Sequence, residues 1–431
     1  MLEIAVIADD LTGAADTGVQ FCPYFDKTVL TSYQGISSPH ATTGHDGLAI
    51  YTNSRPLKAD EARERLTHMA RQLSRLEPKR IYKKVDSSVR GNIGAEVDAI
   101  ADAMGFDWSF IAPAFPDMGR TTLHDIHRIH GTPVAQTELS KDPVTPVRES
   151  RLSRIISAQS IYRVKHVDLD SMSKDDEALL EDIRKEAEGG VRHFVFDVME
   201  NNHLDKIARM AVRSPKEILL VGSAGLAWGL AGQLPRGRTR EGPEQRDLPE
   251  GHHLLVCGTV SERTRMQIAE LKANYHHEAI LLRPEILADP SRMDQLITES
   301  SVAQRILWGH DLIIQVVHPE TGDSSYGEAQ SLDAAQAIVD GLGLLVATIV
   351  KNTKPASLFL SGGDTANAVL DAIDAKGIHL RREIVPGVPF GTLLGGLMKG
   401  HPVITKAGAF GEKDTLVAVH KFLLNNTKEV S

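Results

Sequence analysis

Ser361-Gly362-Gly363-Asp364-Thr365-Ala366-Asn367 follows a short apolar run, Ser357-Leu358-Phe359-Leu360, that reads as a buried strand. It runs into Ala366 to Ile373, where apolar residues recur at helical spacing. Strand, glycine pair and helix is an arrangement that aims backbone N–H groups and the positive end of a helix dipole at an anion, commonly a phosphate. Two adjacent glycines allow positive φ and let a ligand approach the backbone closely. Taken alone, the stretch favours a tight βα turn with Asp364 or Thr365 as N-cap. The rest of the chain tips the reading toward a phosphate loop.

At 431 residues the chain is long for one core, so two domains are expected. Hydrophobic residues make up 42% and charged residues 24%, an ordinary globular balance. A formal net charge of −9 argues against nucleic acid as a partner. Cys22 and Cys257 are too few for a disulfide framework or a cysteine metal site, and they suit a reducing compartment. Met1 to Ala8 passes straight into a strand pattern without a basic leader, and no apolar run approaches the length of a membrane span. A cytoplasmic protein with no membrane partner is expected.

In the N-terminal half, strand patterns end in polar clusters. Ile4 to Ala8 leads into Asp9-Asp10-Leu11-Thr12-Gly13-Ala14-Ala15-Asp16-Thr17-Gly18. One cap for the following helix is ordinary, but three acids in this space exceed what capping needs. Neighbouring carboxylates repel unless they hold a cation, bind hydroxyls or share a proton. A second strand pattern, Leu48 to Tyr51, ends at Thr52-Asn53-Ser54-Arg55-Pro56, and Glu61 to Leu76 then reads as a solvated helix. A third, Arg80 to Val85, ends in Asp86-Ser87-Ser88-Val89-Arg90-Gly91-Asn92. Lys84 and Arg90 suit a carboxylate, Ser87, Ser88 and Asn92 suit hydroxyls, and Asp86 can orient them. Both signs of charge with small hydroxyl residues at a strand end fit a small polyhydroxy acid. Phe110-Ile111-Ala112 leads to Pro113-Ala114-Phe115-Pro116, with Arg120 beyond, and His193 to Val198 and Ile218 to Val221 are further strand patterns. His124, His127 and His130 stand three residues apart, but no acidic ligand set accompanies them, so surface or loop positions are expected rather than metal. Strands alternating with helices indicate a parallel α/β sheet.

Pro235 to Glu250 has three prolines, two glycines and almost no apolar residues, which marks a linker. The expected division is a substrate domain over 1–234, a linker over 235–250 and a nucleotide domain over 251–431. The second series begins at Leu254 to Ser261, where Ser261 caps a helix or reaches a nucleotide. It continues through Ala279–Leu282, Leu312–Val317 and Ser357–Leu360 to a glycine- and proline-punctuated segment, Pro386 to Leu393, and then Val403 to Glu412. Three loops here suit a nucleotide: Ser261; Ser361, Gly362, Gly363, Asp364 and Thr365; and Gly408 to Gly411. No Gly-x-x-x-x-Gly-Lys-Ser/Thr loop and no complete dinucleotide fingerprint occur.

Read together, Ile7-Ala8-Asp9-Asp10-Leu11-Thr12-Gly13, Lys84 to Asn92, Ala112 to Pro116, Gly222-Ser223-Ala224-Gly225-Leu226-Ala227, Ser361 to Thr365 and Lys406 to Gly411 resemble the four-carbon acid sugar kinase family. They span nearly the whole chain in order. The resemblance implies two α/β domains, each with a largely parallel sheet flanked by helices, and an active site in the interdomain cleft. It implies phosphorylation of threonate, erythronate or an oxidised tetronate with ATP and Mg2+. The 4-hydroxyl, as the least hindered nucleophile, is the expected acceptor. Asp10 is the first candidate for the base and Asp86 the second, with Lys84 in the catalytic set and, with Arg90, toward the substrate carboxylate. Asp9, Thr12, Arg55, Ser87, Gly91 and Asn92 complete the substrate candidates. No protein metal ligand is assigned, and a homodimer is carried as the expectation for assembly. The rival readings are a ribokinase-like kinase of another small polyol acid, a nicotinamide-dependent dehydrogenase and a non-catalytic sugar-acid binding protein.

Overall fold

The computed structural model describes residues 2–39, 43–142, 144–214, 216–235, 248–258, 261–289, 291–292, 311–317 and 332–426. They fall into two compact units, Met1–Arg238 and Thr239–Ser431. Most of the expected linker, 236–247, lies outside the described residues.

In the first unit the strands are β1 (Ile4–Ala8), β2 (Thr28–Ser32), β3 (Gly47–Tyr51), β4 (Ile81–Lys84) and β5 (Trp108–Ala112). After a small antiparallel group, β6 (Arg120–Leu123), β7 (Ile126–Ile129) and β8 (Thr132–Pro133), come β9 (Arg163–Val167), β10 (Val191–Phe196) and β11 (Ile218–Gly222). The main sheet runs β2-β3-β1-β4-β11-β5-β10-β9, every pairing parallel. Helices cover both faces of such a sheet, which is why β1, β3 and β5 are apolar and buried along their whole length. The helix Ala59–Ser74 shows how they do so. Ala62, Leu66, Met69, Ala70 and Leu73 form one buried stripe, and Glu61 accepts from the Lys58 backbone N–H to close its first turn.

Successive residues of a strand point to opposite faces, so Lys83 and Lys84 part company. Lys83 turns into the core, where its Nζ lies 2.6 Å from Glu96 Oε2 on the helix Ile93–Met104, both side chains at most 1% exposed. Glu96 Oε1 accepts from Ser54 Oγ, which meets Thr52 Oγ1, which donates to the Ala8 carbonyl. One buried ion pair thus ties β4, the ends of β1 and β3, and a covering helix together.

In the second unit the strands are β12 (His253–Cys257), β13 (Glu278–Leu282), β14 (Leu312–Val316), β15 (Ser357–Ser361), β16 (Gly377–Glu383), β17 (Pro389–Leu394) and β18 (Pro402–Lys406). Their order is β13-β14-β12-β15-β18-β17-β16. The first five are parallel, while β17 runs antiparallel to both β18 and β16. Most of the punctuated segment 386–393 lies in β17. Its core packs Leu255, Ile313, Phe359, Phe390 and Ile404 against Leu416 and Leu423 of the helix Thr415–Asn426.

The helix Leu332–Thr353 corrects one expectation. It is long and apolar enough to cross a membrane, whereas no run of that kind was expected. Leu342, Leu345, Val346, Ile349 and Val350 are buried in the unit, as in the core helix of a globular domain.

Removing one member of a buried pair strands the other charge, which costs about 3–5 kcal/mol. Glu96→Ala is expected to lower stability by that amount in urea unfolding, and the double variant Lys83→Met, Glu96→Leu is expected to recover most of it.

Candidate active site

β1 and β4 are neighbours, yet the chain leaves β1 toward β2 and β3 on one side and leaves β4 toward β5 on the other. Loops diverge at such a point and open a crevice beyond the strands' carboxyl ends. Asp9 and Asp10 follow β1, Arg55 follows β3, and Asp86 to Asn92 follow β4, so the structure gathers these sequence candidates at one edge.

Arg55 is the centre of the group. Its Nε lies 2.7 Å from Asp9 Oδ2, and its Nη2 lies 2.9 Å from Asp9 Oδ1 and 3.0 Å from Asp10 Oδ1. A planar fork is the shape that can grip one carboxylate twice and still reach the next. Asp10 also caps the helix Leu11–Gly18, accepting from Gly13 N–H at 2.9 Å and from Thr12 Oγ1 at 2.9 Å. A second pair stands beside it: Arg90 Nε donates to Asp86 Oδ2 at 2.6 Å, and its Nη1 lies 3.4 Å from Asp142 Oδ2. Burial alone would push the Asp9 and Asp86 carboxyls up. The Arg55 guanidinium beside Asp9, and Arg90 with Arg55 beside Asp86, more than reverse this and hold both below the usual carboxylate range. Lys84 adds to this on both carboxylates, and its side chain is buried at the same edge.

The remaining candidates shape the edge. Gly91 turns at φ +90°, and a Cβ there would stand 3.3 Å from Asp9 Oδ2 and from Arg55 Cγ. Asn92 Nδ2 donates to the Ser54 and Leu57 carbonyls, which fixes the Arg55 loop on the start of the helix Ile93–Met104. Ser87 Oγ is buried without a hydrogen-bond partner among the described residues, which leaves it able to bond a ligand.

One histidine departs from expectation. His127 lies on β7 and is fully buried, with Nε2 against the Ser87 carbonyl at 2.8 Å and Nδ1 against Thr122 Oγ1 at 3.0 Å. Burial pushes its imidazole down to about 4. Spacing alone could not reveal this, since the partner is a carbonyl forty residues away in the sequence.

The second unit has its own divergence point. The chain leaves β12 toward β13 and β14, and leaves β15 toward β16, β17 and β18 on the other side. Ser261 is the N-cap residue of the helix Glu262–Asn274, Ser361 ends β15, and Gly408 to Gly411 follow β18. Gly362 sits at φ +105°, which L side chains rarely adopt, and precedes the helix Gly363–Ala372. That helix's first turn, with Gly363, Asp364 and Thr365, presents backbone N–H groups at the positive end of its dipole. A phosphate fits this donor set.

Lys406, which sequence reasoning did not single out as a site residue, organises these loops. Its side chain is 1% exposed, and Nζ donates to the carbonyls of Ala407 at 2.9 Å, Gly408 at 3.2 Å and Phe410 at 3.2 Å. Burial pushes its ammonium down to about 8. Thr264 Oγ1 donates to the Gly408 carbonyl and Gln267 Nε2 to those of Phe410 and Glu412, while Gly362 N–H donates to the Lys406 carbonyl. The available signal was a lysine closing the apolar strand Pro402–Lys406.

Comparison with known proteins adds an independent line. A family model described as a sugar-binding N-terminal domain matches residues 4–230, and one described as a nucleotide-binding C-terminal domain matches residues 254–416. A D-threonate kinase of Salmonella typhimurium is 34% identical, covering 96% of this chain and 97% of the relative. A D-erythronate kinase of Heliobacterium modesticaldum is 30% identical, covering 98% of each. A crystal structure of a Salmonella typhimurium protein matches with a TM-score of 0.80 at 23% identity, covering 98% of this chain and 100% of the other, a likeness of fold.

Two outcomes are expected from this geometry. Arg55→Met leaves the Asp9 carboxylate buried without its partner and should cost about 3 kcal/mol in urea unfolding, with Arg55→Lys recovering only part because a point charge cannot form the fork. His127 binds a proton in the unfolded chain below the ordinary imidazole value of about 6.5 but in the folded chain only near 4. Its contribution is therefore present above 6.5 and lost as pH falls from 6.5 to 4, about 3 kcal/mol in all. The His127→Asn variant should show a correspondingly shallower loss of stability across that window in pH-dependent urea unfolding.

Proposed function

The chain belongs to the four-carbon acid sugar kinase family, and from that premise we propose that it transfers the γ-phosphoryl group of ATP to the 4-hydroxyl of threonate, erythronate or an oxidised tetronate. One observation carries the reading: each unit gathers its polar loops at its own divergence point, one rich in paired acids and bases, the other in glycine and helix N–H groups. The first suits a polyhydroxy acid and the second a polyphosphate.

Phosphoryl transfer asks a protein mainly for alignment and charge stabilisation. Lys84 and Arg90 receive the substrate carboxylate in this reading; the Arg90 side chain keeps 28% exposure despite its bond to Asp86. Ser87, Asn92, Thr12 and Asp9 line the hydroxyls, and Gly91 lets the substrate lie against the backbone. Asp10 takes the proton of the attacking hydroxyl. It is preferred over Asp86 because its side chain is 19% exposed against 10%, and because Arg90 holds the Asp86 carboxyl too low to be a strong base. Ser361, Gly362, Gly363, Asp364 and Thr365 hold the ATP phosphates, with Gly408 and Gly411 shaping the adjoining loop and Ser261 at the third edge. Mg2+ entering with ATP would offset the negative charge of its phosphates.

An ADP-release assay over the stereoisomeric threonates, erythronates and their oxidised forms should give turnover with at least one, and the product should show phosphorus coupling to the C4 protons. No ADP release with any four-carbon acid would overturn the proposal. Asp10→Asn should lower kcat by about 10²–10⁴ with a smaller change in KM. Gly363→Val should raise KM for ATP while leaving sugar-acid binding by the full chain unchanged.

A further inference from the structure

At the opposite end of the second unit's sheet from the glycine loops, a second polar cluster forms. β12, β13 and β14 are neighbouring parallel strands, so the residues that enter them meet at one edge. These are His252 and His253 at β12, His277 just before β13 and Asp311 just before β14, with His420 added from the helix Thr415–Asn426.

The donor atoms have an unusual spacing. Asp311 Oδ1 accepts from His253 N–H at 2.8 Å, which fixes the carboxylate. The same carboxylate's Oδ2 then lies 3.6 Å from His277 Nε2 and 3.6 Å from His420 Nδ1. Ring nitrogens free to bond this oxygen directly would stand near 2.8 Å, and these stand beyond hydrogen-bond range. Ligand atoms bound at about 2.0–2.1 Å around a tetrahedral metal are separated by about 3.4 Å. One ligand atom from each of the three residues lies within 4.8 Å of the others. His277 has a fully buried side chain, and its Nε2 lacks a hydrogen-bond partner among the described residues, a costly state for a polar atom left as it is. The rings are already packed, His277 against His420 at 4.8 Å between centroids and His420 against Tyr275 at 4.2 Å. Ser357 Oγ takes up His253 Nδ1 at 2.8 Å, so that ring is oriented by another partner.

We propose that His277, Asp311 and His420 form a binding site for a borderline divalent cation of the Zn2+ class, with water as fourth ligand, that clamps the C-terminal helix to the strand-entry edge of the second unit. Two imidazoles and one carboxylate are a ligand set this class favours over Mg2+, which prefers oxygen ligands and octahedral geometry. The cation binds the folded chain and so adds to its stability, because the three ligands come from distant parts of the sequence and converge only on folding. This site is independent of the kinase reading and stands or falls separately from it.

The test uses the full chain without a histidine tag, stripped with a chelator and then dialysed against Zn2+ in the absence of nucleotide. Elemental analysis should find one tightly held zinc per chain that is absent from the double variant His277→Gln, His420→Gln, whose affinity should fall by about 100-fold or more. Zn2+ should raise Tm of the wild type and not of the variant. Replacing zinc by Co2+ should give the visible bands of a four-coordinate ion, and His277→Cys should retain binding and add a thiolate charge-transfer band. Equal zinc content in wild type and double variant, no zinc in the wild type, or a cobalt spectrum unaltered in His277→Cys would each overturn the proposal.

Discussion

The polar edge of the first unit depends on a guanidinium between two carboxylates. Asp9, Asp10 and Asp86 come to one sheet edge because β1 and β4 are adjacent, and three buried or half-buried anions there would repel strongly in a medium of low effective dielectric. Arg55 makes the arrangement tenable by gripping Asp9 twice and reaching Asp10. Arg90 bonds Asp86 through Nε and reaches Asp142 beyond it, and Lys84 lies beside both Asp9 and Asp86. Three cations are thus interleaved with four carboxylates, and a ligand entering this edge meets an ordered set of donors and acceptors rather than a bare charge. Such preorganisation is what transfer chemistry asks of a protein scaffold.

The strategy in the second unit is different. The loop after β18 is fixed from below, by one buried ammonium that collects three carbonyl oxygens of its own loop, and from the side, by Thr264 and Gln267 of a neighbouring helix. The neighbouring turn is tied to the same strand, its Gly362 N–H donating to the Lys406 carbonyl. Side-chain ion pairs organise the first edge, and backbone carbonyls gathered on one buried ammonium organise the second.

Much of this was legible because parallel strands covered on both faces are continuous apolar runs, and β1, β3, β5, β12 and β15 announce themselves that way. The polar clusters at their carboxyl ends could be read as sites for the same reason. Strands with other constraints escaped. β2, Thr-Val-Leu-Thr-Ser, is half polar, and β16, Gly-Ile-His-Leu-Arg-Arg-Glu, has an exposed charged end. β17 hid behind a proline and a glycine. Ion pairing was invisible in principle: that Arg55 serves Asp9 while Arg90 serves Asp86 depends on which strands are neighbours, which sequence order does not state. The same holds for Lys83 and Glu96, although two consecutive lysines in an otherwise apolar strand signal that one of them faces inward and needs an anion.

The placement of β11 between β4 and β5 has a consequence for how the chain acquires its structure. The strand that joins the two halves of the first sheet is the last of that sheet to be synthesised, roughly 130 residues after β4, on the order of 10 s at about 5–20 residues per second. Until Ile218–Gly222 arrives, β4 and β5 each carry an unpaired edge, the feature that natural sheets shield against intermolecular pairing. The nascent chain therefore passes through an interval in which two open edges await one closing strand. Correct closure in that interval competes with association between chains.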